Sequence, residues 1–301
     1  MKCFYHSADL DGHCSGAIVK YFNPECELIP INYGQDFPWD KISPKEKVFM
    51  VDFSLQPFTN MERLATLADL IWIDHHQTAI DDYEKAELRQ NGLPIAGVQR
   101  NGTGACELTW EYFSKDPWPF AVQLLAEYDV WNHTDERTLP FQYGLRMQNT
   151  DPRTGEAMAL WKILFCKEEI VKALINAGKT ILAYEAQTDA KFCKAYAFET
   201  IMPAYSMNLA GPAPADVPPI LRAICVNKGF TNSKVFDSVY VPAKHDLMIT
   251  FCRLPLPKKQ WTISLYSDKS EVDCGAIAKS FGGGGHKGAA GFQCDDLPFE
   301  Y

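Results

Sequence analysis

Apolar positions along the chain fall into two patterns: short unbroken runs, and longer stretches in which they recur every three or four residues. Cys3-Phe4-Tyr5, Val48-Phe49-Met50-Val51 and Leu70-Ile71-Trp72-Ile73 are of the first kind and predict strands buried on both faces. Residues 28–31 and 95–98 predict two more, the first at a sheet edge because Pro30 has no N–H to donate. Helical spacing covers residues 12–22, 57–67, 105–110 and 117–130, with Pro57 at a favoured first-turn position. This alternation predicts an α/β domain over residues 1–165, a mostly parallel sheet flanked by helices. A long proline-free helical stretch over 166–200 reads as a connector. Pro203 and the cluster Gly211-Pro212-Ala213-Pro214 through Pro218-Pro219 open a smaller C-terminal α/β domain over 201–301. Its expected strands are 220–226, 247–252, 261–266 and 291–294, with helices near Val235 and Ala276.

The three central runs of the first half all stop at acidic or imidazole groups. The first leads into His6-Ser7-Ala8-Asp9-Leu10-Asp11, the second into Asp52, the third into Asp74-His75-His76. In an open α/β sheet the carboxyl ends of the strands line one crevice, so the three clusters are expected to face it together. Asp129, near the end of helix 117–130, opposes the helix dipole and calls for a cationic partner, unless that turn is solvated with Trp131 packed beneath it. Carboxylate with imidazole is a ligand set for Mn²⁺, Mg²⁺ or a related divalent ion, whereas thiolates, absent from these positions, would favour zinc. The candidate ligands are His6, Asp9, Asp11, Asp52, His75 and Asp129. Burying even one bare charge costs several kcal/mol, about enough to forbid such a cluster without counter-ions. Two divalent cations resolve this, with Asp52, alone at the tip of a central strand, as the bridging carboxylate. Taken singly, Asp9, Asp11 and Asp52 could equally cap helices, and His75 or His76 could be a satisfied core histidine. At Asn101-Gly102-Thr103-Gly104, Thr103 can cap the next helix, or the helix start can receive an anion.

Composition narrows the class. At 301 residues the chain can bury two cores, and no apolar run has the length of a membrane span or the form of a signal peptide. Ten cysteines include no Cys-x-x-Cys pair, which suits reduced core thiols in a cytoplasmic protein. The net charge of −9 is uneven: residues 1–200 carry 19 Lys and Arg against 29 Asp and Glu, residues 201–301 carry 10 against 9. An acidic half is a poor surface for long or duplex nucleic acid, but suits one that binds cations.

In the second half Gly282-Gly283-Gly284-Gly285-His286 stands out. Successive glycines let a backbone approach a ligand and turn amides toward an anion. A flexible linker is the alternative, and the small packed residues that follow immediately speak against it.

Together these motifs resemble the DHH phosphoesterases, a family named for the Asp-His-His found here as Asp74-His75-His76. His6-Ser7-Ala8-Asp9-Leu10-Asp11-Gly12 is similar to the first family motif, Val51-Asp52 to the second and Tyr128-Asp129 to the fourth, in family order. Many members place the first histidine four residues before the first aspartate; here the spacing is three. The resemblance implies one ion on His6, Asp9 and Asp52, and another on Asp11, Asp52, His75 and Asp129. It implies that His76 contacts the scissile phosphate and that Asp74 sits behind the site, orienting a ligand histidine. The glycine stretch resembles the DHH-associated substrate-binding domain, which implies that Gly283, Gly284, Gly285 and His286 hold the non-scissile part of a nucleotide. Many members carry an Arg in the preceding strand; this chain has Ser264-Leu265-Tyr266-Ser267, where Tyr266 could stack on a base or be a core aromatic. The implied protein is a hydrolase, a Mn²⁺-dependent phosphodiesterase (Mg²⁺ or Co²⁺ as alternatives) acting as an exonuclease on short single-stranded oligonucleotides or dinucleotides. Its expected cleft lies between the metal crevice and the glycine stretch, and the family resemblance allows a homodimer. Alternatives are a phosphodiesterase for cyclic dinucleotides, a 3′-phosphoadenosine 5′-phosphate phosphatase and, from another class, a non-catalytic nucleotide-binding regulator.

Overall fold

In the computed structural model, residues 1–130, 132, 134–205 and 220–301 are described, Leu88 by its backbone only. Trp131 and the proline cluster over 211–219 lie outside the described residues. The chain divides into two compact units, Met1–Leu182 and Ala183–Tyr301, with the division falling inside one long helix.

The first unit is built on five parallel strands: β1 (Lys2–His6), β2 (Glu27–Ile31), β3 (Lys47–Val51), β4 (Asp69–Asp74) and β5 (Ala96–Gln99). They lie in the order β2-β1-β3-β4-β5. The central three are buried along nearly their whole length, as expected of apolar runs covered on both faces. β2 and β5 are the edges, and Pro30 sits on β2 where its missing donor is harmless. Strands are joined by α1 (Leu10–Phe22), α2 (Thr59–Leu67), α3 (Gln77–Lys85) with the short α4 (Glu87–Gln90), and α5 (Ala105–Phe113) follows β5. One sheet face is covered by a core that includes Phe4, Met50, Trp72 and Tyr83; the other carries Tyr5, Val51, Ile73 and Leu108.

Beyond the sheet, α6 (Phe120–Asp129) packs on α1 and α5, α7 (Thr138–Leu145) and α8 (Gly155–Cys166) pack on α6, and Val171, Leu174 and Ile175 of α9 (Glu168–Tyr196) complete that core. Neither α7 nor α8 is expected from the apolar pattern. α7 is buried on several sides, Phe141 fully enclosed, whereas α8 buries one stripe through Trp161 but exposes the apolar Ala159, Ile163 and Cys166 opposite it, so neither sequence shows much amphipathic contrast.

The second unit holds a mixed six-stranded sheet in the order β10-β11-β9-β8-β7-β6. Its strands are β6 (Phe198–Pro203), β7 (Ile220–Asn227), β8 (Leu247–Arg253), β9 (Trp261–Tyr266), β10 (Gly284–Gly285) and β11 (Ala289–Cys294), with α10 (Cys274–Ser280) against one face. The helix expected near Val235 is only a single tight turn, Ser233–Phe236. All ten cysteines are free thiols. Among the described residues no helix is long and apolar enough to cross a membrane.

Candidate metal centre

Strand order 2-1-3-4-5 reverses direction between β1 and β3, and in open α/β sheets such a switch point is where ligands sit, at the carboxyl ends of the strands. His6 ends β1, Asp52 follows β3 and Asp74 ends β4. Asp9 and Asp11 stand at the start of α1, the helix-capping alternative holding for Asp9. Asp9 is its N-cap, accepting from the Gly12 amide at 2.9 Å, and Asp11 lies in its first turn.

Asp52 is at the centre of the crevice. Its backbone has φ +55°, a left-handed conformation that aspartate tolerates better than most residues, while its N–H still continues the sheet by donating to Ile73. The side chain is 1 % exposed, and neither carboxylate oxygen makes a hydrogen bond among the described residues. Imidazoles face both oxygens: His75 Nε2 is 3.3 Å from Oδ1 and His6 Nδ1 is 3.6 Å from Oδ2. His75 Nε2 also lies 3.2 Å from Asp129 Oδ2 and 3.9 Å from Asp11 Oδ2, and His6 Nδ1 lies 2.9 Å from Asp9 Oδ2. Two clusters therefore meet at Asp52. His6, Asp9 and Asp52 present ligand atoms within 4.8 Å of one another, and so do Asp11, His75 and Asp129.

The protonation states show what this arrangement demands. His6 Nε2 faces Asn32 Oδ1 at 3.3 Å, and that oxygen already accepts from the Tyr33 amide, so the ring nitrogen is the donor. In neutral His6 the lone pair on Nδ1 then points at two carboxylates, an arrangement that needs a cation between them. Metal-ligating histidines are oriented by this kind of second hydrogen bond. Without an ion, protons take that place. Burial lowers the pKa of His6, but the facing carboxylates of Asp52 and Asp9 outweigh it and push it up to about 10. Burial likewise opposes charge on His75, and Asp52, Asp11 and Asp129 push it up to about 10. Burial, then the charge of Asp11, pushes Asp129 up to about 7. Burial raises Asp11 and Asp52 as well, helped at Asp11 by the charge of Asp52 and at Asp52 by those of Asp9 and Asp129. Asp9 stays below its ordinary value: burial works against its charge, and His6 and the Gly12 amide overcome it. These nitrogen and oxygen donors, with no thiolate, fit divalent cations of the Mn²⁺ or Mg²⁺ kind.

Asp74 also lies within ligand reach of Asp52, His75 and His76, but its oxygens are already engaged. It is fully buried, its Oδ1 accepts from the amides of His75 and His76 and from His76 Nδ1, and its Oδ2 accepts from Trp72 Nε1. It therefore holds the ring of His76, where the sequence resemblance implied that it orients a metal-ligand histidine. The His76 ring is partly exposed, and Asp74 raises its pKa.

Asp11 has a second task that sequence spacing does not show. Its carboxylate accepts from the amides of Ala105 at 2.7 Å and Cys106 at 2.8 Å, the first turn of α5. Gly104 permits this: a Cβ there would stand 2.6 Å from the Ala126 Cα of α6. Thr103 is not the cap, since its hydroxyl donates to Glu107. The helix start does receive an anion, and the anion is Asp11.

In the second unit the glycine stretch is a hairpin rather than an open loop. Gly284 and Gly285 form the edge strand β10 against β11, and His286 and Ala289 exchange backbone hydrogen bonds around a Lys287-Gly288 turn. Gly285 has φ +143°, and a Cβ there would meet Ala290 Cα at 2.5 Å. Gly283, Gly284, Gly285 and His286 are exposed. Tyr266 packs in the cluster with Val235, Phe236 and Met248, its hydroxyl toward the Thr231 carbonyl, the core-aromatic alternative. The Ser267 hydroxyl donates to the Asp246 carbonyl. Residues without a place in the sequence reading but lining or supporting the crevice are Asn32, Tyr33, His13, Gln142, Arg146 and Thr150. Asn32 follows β2 at the same end of the sheet, the one signal that could have found it.

No family model matches the chain. It is similar to the pGpG-specific phosphodiesterase PggH from Vibrio cholerae, at 14% identity and TM-score 0.53, over 97% of this chain and 92% of that one. The likeness is one of fold. An exopolyphosphatase-related protein from Bacteroides fragilis matches at 12% identity and TM-score 0.42, over 98% of this chain and 87% of that one. An uncharacterized protein of Acanthamoeba polyphaga mimivirus is 29% identical over 320 residues, covering 98% of this chain and 69% of that protein. The PggH fold agrees with the DHH phosphoesterase resemblance of the motifs.

Proposed function

We propose that the protein is a phosphodiesterase dependent on two divalent cations, Mn²⁺ being the expected ion, that hydrolyses short oligonucleotides to mononucleotides. The observation that carries the reading is Asp52: a buried carboxylate with both oxygens free of hydrogen bonds, shared between His6 with Asp9 on one side and Asp11, His75 and Asp129 on the other. Divalent ions at such a pair of sites lower the pKa of water and neutralise charge on phosphoryl oxygens. The residues supply the rest. Asn32 and the Gly12 amide fix His6 and Asp9, and α5 fixes Asp11, so the ligands are placed before an ion arrives. Asp74 keeps a proton on His76 Nδ1, which leaves Nε2 to meet a phosphoryl oxygen, as donor when the ring is charged.

The short-substrate preference is supported by the acidic first unit and by a fold neighbour whose own substrate is the dinucleotide pGpG. The exposed glycine edge and His286 are proposed to hold the non-scissile part of the substrate. Tyr266 and Ser267, both engaged within their own unit, are weaker candidates for that contact.

Metal analysis of the purified protein, followed by a panel of linear dinucleotide, five- and twenty-nucleotide single strands, cyclic dinucleotide, 3′-phosphoadenosine 5′-phosphate and pyrophosphate, tests this. The proposal expects bound divalent metal and fastest turnover of the shortest linear substrates. Preference for one of the others would replace the substrate assignment, and binding without turnover would make the protein a regulator.

A further inference from the structure

Beside the metal ligands, wholly within the first unit, lies a cavity of about 340 Å³, within the usual range for a small-molecule site. Asp9, Asp11 and Asp129 form the wall it shares with the metal centre, and Leu10 and Leu125 add apolar surface. His13, Thr150 and Gln142 also line it. Two of these satisfy one another. His13 Nε2 faces the Ser7 carbonyl at 3.3 Å and so carries the proton, leaving Nδ1 to accept from the Thr150 hydroxyl at 2.9 Å. Gln142 does not share in this. It stands on α7, is 2 % exposed, and makes no side-chain hydrogen bond among the described residues; its amide atoms are not among the sealed, unpartnered ones, so what little surface it has opens into the cavity. An amide that opens into a cavity without a protein partner is free to bond a ligand there, and a ligand that failed to match it would leave it unpaired once water is displaced. The amide presents one donor and one acceptor side by side, the pattern that reads the edge of a nucleobase.

Arg146 also lines the cavity, exposed, one helical turn beyond Gln142. It lies over the ring of Tyr128 and donates to its hydroxyl at 3.1 Å, with no carboxylate at ion-pair distance among the described residues. An uncompensated guanidinium in the acidic half of the chain is placed for an anion.

We propose that this cavity is a nucleoside subsite of the metal centre, in which Gln142 reads the base edge and Arg146 holds a phosphate at the rim. It rests on the phosphodiesterase reading, and the test separates the two. Binding of GMP, AMP, CMP and UMP, with ribose 5-phosphate as the base-free probe, is measured by calorimetry on wild type, Gln142→Met and Gln142→Glu, each checked for folding by thermal melting. The same proteins are assayed on the matching dinucleotides. Wild type is expected to bind its preferred nucleotide more tightly than ribose 5-phosphate. Both substitutions are expected to weaken that nucleotide about tenfold, one lost hydrogen bond, and to narrow the spread among the four bases. Arg146→Gln is expected to weaken nucleotides and ribose 5-phosphate together. Equal loss for nucleotides and ribose 5-phosphate at Gln142, or wild-type base ratios in both variants, overturns the subsite. Base-dependent binding that follows Gln142 in a protein that hydrolyses no phosphodiester would keep the subsite and overturn the enzyme.

Discussion

Nδ1 of His76 lies 2.7 Å from Oδ1 of Asp74, a carboxylate that no solvent reaches. This contact decides which His76 nitrogen carries the proton. Asp74→Asn removes the charge that holds it while leaving the metal ligands in place. Groups that orient a site histidine are worth about 10–100-fold in activity or affinity. We expect a fall of that order in kcat with metal content unchanged by elemental analysis. Loss of metal instead would show that Asp74 supports His75.

Asp52→Asn is the clean test of the shared carboxylate, because asparagine accepts the φ of +55° that alanine adopts with strain. The expected outcome is loss of turnover together with loss of bound metal, in a protein with the far-UV spectrum of wild type. Retained turnover would remove the two-ion reading.

Asp11 and Asp129 face the same imidazole but differ in what else they hold. Asp11→Asn turns an amide N–H toward a backbone donor of α5 and is expected to cost about 1–3 kcal/mol of stability in addition to metal. Among the described residues Asp129→Asn removes no comparable hydrogen bond, so it should lose metal with a smaller change in melting temperature. Denaturant titration of the two metal-free variants makes the comparison.

Acidity follows from the same cluster. Asp129, raised to about 7, contributes stability that is complete below the ordinary carboxylate value of about 4 and is lost as pH rises through about 7. His75, raised to about 10, contributes stability that is complete below about 6.5 and is lost as pH rises through about 10. Metal-free protein should therefore weaken as pH climbs across this range, and a divalent ion should replace the departing protons. The rise in melting temperature on adding Mn²⁺ is expected to be larger at about pH 8 than at about pH 5.5; an equal rise at both would mean the ion binds elsewhere.

His286 is exposed and bears on the second unit's share of the work. His286→Ala should leave the melting temperature of the protein unchanged and raise KM for oligonucleotides. An unchanged KM would leave the glycine hairpin a structural device.

The parallel sheet was legible because its central strands are apolar on both faces and end abruptly in charge, as at Ile73-Asp74. Strands with little side chain were not: Gly284 and Gly285 pair as β10 through backbone alone, and the pattern around Pro203 reads as punctuation although β6 runs to it. Ligand candidates could be collected because each sits at a strand or helix end. Their partners could not, since Asp11 meets Ala105 and His13 meets Thr150 across most of the first unit's sequence, where no local spacing connects them. Gln142 escaped for a related reason, being a neutral side chain on a helix whose pattern carries no clear apolar stripe.

The hydrogen bonds from α5 to Asp11 belong to the main chain and do not depend on any ion. A chelator should therefore leave a socket already shaped, still braced by that helix, and reloading should be quick and free of refolding. The protein would then act as a reusable holder whose occupancy tracks the ions around it.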